Sequence, residues 1–308
     1  MDMPLRQAKP DFRRIWSRVK KYLPGYLFTS PFIILFLVFG LFPLVFSFVL
    51  SFHKWNGNGP MIPVGFENYA LLLKDARFLQ AMKNGVIIFF LSVPIQLVSA
   101  LVLAVILNSK NLKGFRFFRA LIFLPFITNK VAAGFVFQSL FATKYGLLNS
   151  FIGFFGLEPI AWLDTVWGAR IALAALIFWG WVGYNMILML AGLQTINPEV
   201  VEAARIDGAN SLQVFFHITI PLMTPILVFC TILSVIGSFD LFPELQSLFA
   251  TTGGNGPLNS TITPNLAIFE QAFGSFRFGY ASAMSYIFFL FVLILSMLQI
   301  KNFNRDNQ

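Results

Sequence analysis

The sequence predicts an all-α integral membrane protein that crosses the bilayer six times. Three observations carry that reading. Of 308 residues, 57% are hydrophobic and only 11% charged, with a mean hydropathy of +0.75; a soluble domain is about half apolar and about a quarter charged. Six apolar runs have the length of a spanning helix, which needs about 20 residues. The polar residues gather in the stretches between those runs. The net charge of +9 does not read as a nucleic-acid surface, because much of it sits in the N-terminal tail and one short loop, where it suits a layer of lipid headgroups. The single cysteine, Cys230, lies inside an apolar run, so no intrachain disulfide is possible.

Residues 1–24 carry Arg6, Lys9, Arg13, Arg14, Arg18, Lys20 and Lys21, with Phe12, Ile15, Trp16, Val19, Tyr22 and Leu23 at helical spacing between them. That pattern predicts a basic amphipathic tail lying on the lipid surface. No small-residue cleavage site follows, so the next run, residues 25–52 with Pro31 and Pro43 inside it, is expected to be a retained span. Residues 53–84 read as a polar outer loop. Its His53 lacks the neighbouring ligands that a metal ion would need.

The second span covers residues 86–107. Lys110, Lys113, Arg116 and Arg119 follow it, and this excess of basic residues places their loop in the cytoplasm with the N-terminus. The third span, 120–141, holds Pro125, Thr128, Asn129 and Lys130. An ammonium at the bilayer centre costs about 2.5–3.5 kcal/mol on insertion scales, so Lys130 is expected to face other helices or an aqueous path. The fourth span, 169–193, contains the run FWGWVGYN, and the fifth, 218–241, ends in GSFDLF. The sixth covers 278–300, and Lys301 and Arg305 close the chain on the cytoplasmic side, so both termini are expected there. Against this topology, Lys54, Lys74, Arg77 and Lys83 make the first outer loop more basic than the rule expects.

Between the fourth and fifth spans polar residues return, in NPEVVEAARIDGANSLQVFFHITIPLMTP from Asn197 to Pro225. Asn197 before Pro198 is a helix-start signal, since proline fits the first turn, where its missing N–H is not needed. Glu199 and Glu202 sit near the positive end of that helix dipole. Asp207-Gly208 stops the helix, with Gly208 free to take a left-handed conformation. Asn210 or Ser211 then caps a second helix. His217, beside the fifth span, reads as an interfacial helix residue.

This passage resembles the signature loop of permease subunits of binding-protein-dependent ABC sugar importers, of the maltose and multiple-sugar type. The matching positions are Glu202, Ala203, Ala204, Gly208, Ile218 and Pro221, with Ile220 where leucine is usual. Asp207 and Ala209 flank the glycine as in the sugar-importing branch. Smaller likenesses extend along the chain: Gly65, Asn68 and Tyr69 after the first span, YGLLN after the third, Thr251, Gly253, Gly254 and Pro257 after the fifth, and FGYASAMSY opening the sixth.

The resemblance implies that residues 25–308 form one transmembrane domain, with a cytoplasmic coupling helix between the fourth and fifth spans. Glu199, Glu202, Ala203, Ala204, Asp207, Gly208 and Ala209 would then form the loop that docks on an ATPase. It also implies the partners: a homologous second permease in a heterodimer, two ATPase subunits that bind ATP and Mg, an extracytoplasmic substrate-binding protein and membrane lipid. No nucleic acid is implied. No cofactor is expected on this chain, which has no phosphate-binding Gly-Lys-Ser/Thr motif and so should not hydrolyse ATP itself. By motif position, the substrate path would be lined by Trp181, Gly183, Tyr184, Asn185 and Met186 of the fourth span and by Ser238 and Asp240 of the fifth. Aromatic faces stack on sugars, and amides and carboxylates meet their hydroxyls. The competing class is a stand-alone secondary transporter or channel. It would need coupling charges, for which Asp240 and Lys130 are the candidates, and an internal repeat, which is not visible.

Overall fold

The computed structural model describes residues 12–109 and 113–305. Arg6, Lys9 and Lys110 of the predicted basic segments lie outside the described residues. From Phe12 the chain is helical without interruption, as α1 (Phe12–Leu35), a π-helical stretch Phe36–Leu41 and α2 (Phe42–Leu50). The boundary expected at residue 24 therefore separates two compositions along one helix. The π stretch ends just before Pro43. A second one, Phe215–Thr219, ends just before Pro221. In both places the widened turn accommodates a proline that cannot donate to the ladder.

The expected outer loop is shorter and more ordered than predicted. A two-stranded antiparallel hairpin, β1 (His53–Lys54) and β2 (Ile62–Pro63), leads into α3 (Glu67–Leu72). Asn68 ties the turn together, its Nδ2 donating to the carbonyls of Ser51 at 2.8 Å and His53 at 3.0 Å, while Tyr69 Oη meets Ser51 Oγ at 2.7 Å. The second spanning helix, α4 (Ala76–Leu107), starts at Ala76 rather than residue 86. The Asp75 carboxylate caps it by accepting from the N–H groups of Arg77 and Phe78. Arg77 and Lys83, counted from sequence as loop cations, are thus helical, and Arg77 pairs with Glu270.

The third span is not the single helix expected over 120–141. It is α5 (Phe115–Ile127) and α6 (Lys130–Leu140), bent by 96° at the break. Thr128 is extended, at ψ 142°, and the Asn129 side chain caps α6 by accepting from the N–H groups of Val131 and Ala132. An amide in an apolar run thus ends one helix and starts another. A short helix α7 (Leu147–Phe154) leads to α8 (Val166–Gln194), then α9 (Pro198–Ile206), α10 (Ser211–Val214) and α11 (Ile220–Phe239). The fifth spanning helix therefore begins at Ser211, well before the predicted residue 218. The segment that follows is folded into α12 (Pro243–Leu248), 3-10 turns and α13 (Pro264–Phe269), and α14 (Phe278–Arg305) completes the chain. By length and apolarity five helices can cross a membrane, or six when the bent pair counts as one span.

Helices α4 and α8 form the central pair. Ala81, Ala100, Ala104, Ala169 and Ala172, all fully buried, let their backbones approach closely. One core gathers Leu72, Ile88, Leu173, Leu245, Leu266 and Met284; a second, nearer α9, gathers Met186, Met189, Met223 and Cys230. At the end opposite α9, the carbonyls of residues 258–262 are held by three side chains. Gln80 donates to Leu258 and Asn259, Asn84 to Asn259 and Ile262, and Arg170 to Ser260 and to the Asn84 Oδ1. This cage fixes Leu258 and Asn259 at positive φ (53° and 56°). In contrast, only 6% of the most apolar window of the first spanning helix is buried, so that helix presents its surface to lipid or to another subunit.

Candidate functional site

Two places answer to the sequence expectations. The first is the loop around α9. Asn197 Oδ1 accepts from the Glu199 N–H at 3.1 Å, and Pro198 occupies the first turn. The helix ends as the sequence requires: Gly208 is at φ +88°, its N–H donates to the Arg205 carbonyl, and the Ala209 N–H reaches back to the Ala204 carbonyl at 2.9 Å. This is a left-handed cap closed by paired hydrogen bonds. The next helix follows at once through a capping box between Asn210 and Gln213. Glu199, Glu202, Ala203, Asp207 and Gly208 are exposed, and Ala204 and Ala209 are half-buried. Ile206 is 86% and Leu212 69% exposed. Among the described residues no ion pair engages Glu202, Arg205 or Asp207. Glu202 borders a groove of about 670 Å³ between α9 and the end of α4, lined also by Ile106, Val201, Leu212 and Phe215. His217 caps nothing catalytic; its Nδ1 lies 3.1 Å from the Gln213 carbonyl, on its own helix.

The second place is the expected substrate path, which the structure divides. Asn185 is fully buried between α8 and α11, where its Nδ2 donates to Ser234 Oγ at 3.0 Å and its Oδ1 has no partner. Met186 and Ser238 are equally closed off, and Ser238 Oγ donates to the Val235 carbonyl. Gly183 is a contact point: a Cβ there would lie 1.9 Å from the Ile122 carbonyl oxygen, so α5 crosses α8 at this residue. Tyr184 is half-buried and stacks on Phe126, with ring centroids 4.3 Å apart. Gly183, Asn185, Met186 and Ser238, expected on the substrate path, are packed between helices in this conformation. Gly183 meets α5 and Asn185 meets α11.

Trp181 and Asp240 do reach open space, beside Lys130, which the sequence placed toward other helices or an aqueous path, and beside Glu244 and Asn265, which sequence reasoning missed. The Lys130 ammonium lies 3.1 Å from Glu244 Oε1 and 5.8 Å from the Trp181 ring centroid. Asp240 ends α11 and accepts from the Asn265 side-chain amide. Lys130, Asp240 and Asn265 line a cleft of about 470 Å³ with Phe242, Phe269 and Phe273. Behind Lys130, Glu244, Thr128, Trp179 and Trp181 border a small cavity of about 30 Å³. The available signal was the FDLFPEL passage, where two carboxylates, Asp240 and Glu244, follow an apolar run within a turn of each other.

Comparison with known proteins agrees with this architecture. Residues 69–306 match the family described as binding-protein-dependent transport system inner membrane component. The chain is 40% identical over 289 residues to the lactose transport system permease protein LacF of Rhizobium radiobacter, covering 92% of this chain and 95% of that one. It is 33% identical over 283 residues to the arabinooligosaccharides transport system permease protein AraP of Bacillus subtilis (strain 168), covering 92% and 88%. Among solved structures, a bacterial ABC transporter involved in the import of the acidic polysaccharide alginate superposes with a TM-score of 0.82 over 96% of this chain and 100% of that one. At 22% identity that likeness is one of fold.

Proposed function

The chain belongs to the family of binding-protein-dependent transport system inner membrane components, as the permease subunit of an ABC importer, and we propose that its cargo is a sugar, an oligosaccharide or related polyol. The observation that carries the cargo class is the 40% identity to a lactose permease over nearly the whole of both chains. Transport in this reading is ATP-driven alternating access across the cytoplasmic membrane. ATP and Mg are bound by two partner ATPase subunits, a second permease completes the pathway, and an extracytoplasmic binding protein delivers the sugar.

The exposed α9 loop supports the coupling part of this reading. A short helix with locally complete caps, a free carboxylate at Glu202 and projecting apolar residues is a rigid body that an ATPase cleft can grip. Its different contacts in two nucleotide states shift the balance between inward- and outward-facing forms. Both termini and α9 are cytoplasmic in this scheme. A cysteine placed at Asn58 should then label from outside, and one at Ser109 should not.

The decisive experiment is uptake by proteoliposomes holding the subunit with its partner permease and ATPase, against a panel of labelled sugars presented on the binding protein. The expected result is uptake that requires ATP on the ATPase side and the binding protein on the other. Sugar flux without the ATPase would overturn the reading.

A further inference from the structure

We infer that the break in the third span is a sugar-reading subsite, in which Lys130, backed by Glu244, presents a donor to the cleft that Asp240 and Asn265 also line, and that it selects neutral over anionic sugars. This rests on the sugar-importer reading above. Four observations carry it.

The first is the asymmetry of the pair. The Lys130 side chain is 48% exposed and that of Glu244 8%, so the ammonium stands at the cleft surface with the carboxylate behind it. A lysine ammonium has three N–H donors, and its pairing with Glu244 leaves others for a ligand. The second is Glu244 Oε2, which is buried and has no partner. A buried acceptor in that state is costly, and Glu244 is among the residues lining the small cavity behind Lys130, of about 30 Å³. That space is the size of one oxygen-bearing group, whether water or hydroxyl.

The third observation is the cleft itself. At about 470 Å³ it falls within the usual range of small-molecule sites, roughly 300–1,000 Å³. It offers the rings of Phe242, Phe269 and Phe273 to the apolar faces of a sugar, and the Asp240–Asn265 pair to its hydroxyls. The fourth is charge. Lys130 contributes one positive charge, Glu244 and Asp240 one negative charge each, and among the described residues no other charged side chain lines either space. The local sum is negative. A carboxylate on the cargo would face uncompensated repulsion in a weakly screened site, whereas a neutral polyol, donor and acceptor at every hydroxyl, meets both kinds of partner.

The test uses the complete importer in proteoliposomes, with a neutral disaccharide (lactose) and an acidic one (digalacturonate) as probes, reading half-saturation separately from maximal rate. The expected wild-type result is uptake of the neutral probe with at least roughly tenfold preference. Asp240→Asn should narrow that preference. Lys130→Gln should raise the half-saturation for the neutral probe by roughly tenfold, and Lys130→Arg should restore it. The exchange Lys130→Glu with Glu244→Lys keeps an ion pair and so remains informative if Lys130→Gln fails to assemble; it should assemble and yet lose the half-saturation of the wild type. Equal uptake of both probes by the wild type would overturn charge selection. An assembled exchange variant with wild-type half-saturation and preference would make the pair a structural tie and overturn the subsite, while leaving the importer reading intact. Failure of the wild type to import either probe or any other sugar would remove the importer's cargo class, and this inference with it.

Discussion

The loop at α9 and the break at Thr128–Lys130 are both places where a helix stops, but they are stopped by different means. Around α9 every terminating interaction is local: Asn197 with Glu199, Ala209 with Ala204, Asn210 with Gln213. At the break the local part is the Asn129 cap and Thr128, whose hydroxyl donates to the Leu124 carbonyl and whose N–H donates to the Pro125 carbonyl. The rest comes from afar: Glu244 pairs with Lys130, a Cβ at Gly134 would collide with Ser247 Oγ, and Ile122 crosses Gly183. The contrast separates two jobs. A lever must keep its shape while its surroundings move, so its shape is encoded within itself. A site between helices must change when the helices change, so it is encoded between them.

The sharpest way to break this contrast is at Lys130. Lys130→Met strips a buried carboxylate of its half-exposed counter-charge, which costs about 1–3 kcal/mol, between the exposed and the fully buried case. The expected outcome is a collapse in the yield of monodisperse protein, measured by size-exclusion chromatography, with Lys130→Arg near wild type. Next is Gly183→Ala, which pushes α5 off α8 for about 1–3 kcal/mol and should lower the thermal midpoint. Gly180→Ala, where nothing lies within 4 Å, should not lower it.

At α9 the same kind of assault should leave the fold alone. Glu202→Ala with Gly208→Asp costs about 1–3 kcal/mol of purely local helix-end stability. Assembly and thermal midpoint should hold while substrate-stimulated ATPase activity is lost. The smallest effect belongs to Asn185→Ala, which removes one hydrogen bond to Ser234 and an orphaned oxygen. It should cost about 1 kcal/mol and leave sugar uptake at wild-type half-saturation. Unaltered coupling in the α9 double variant, or lost uptake in Asn185→Ala, would erase the distinction between the two regions.

The same distinction explains what was legible in the sequence. The spanning helices show in apolar runs, and α9 is read almost residue by residue, because proline, glycine and asparagine act on their immediate neighbours. The third span was misjudged as one straight helix: its Thr128-Asn129 signal is two residues long inside an apolar run that says the opposite. The start of α4 was misplaced because Arg77 and Lys83 look like loop residues until Glu270 arrives to pair with Arg77. Asn185 was expected on the substrate path by position in a motif, and its burial against Ser234 depends on helical phase, which motif position does not carry. Glu244 was missed because its partner is more than a hundred residues away, and no spacing rule connects them.

The cage at the end opposite α9 has a consequence for how the protein is made. Gln80, Asn84 and Arg170 emerge from the ribosome before the carbonyls of residues 258–262 that will satisfy them. Until then the amide of Asn84 and the guanidinium of Arg170 lack these carbonyl partners at the end where α4 meets α8. The segment between α11 and α14 is therefore what closes this end of the bundle. A copy that lacks this segment leaves the polar side chains of α4 and α8 open at one end, and the finished copy covers them with the backbone of residues 258–262.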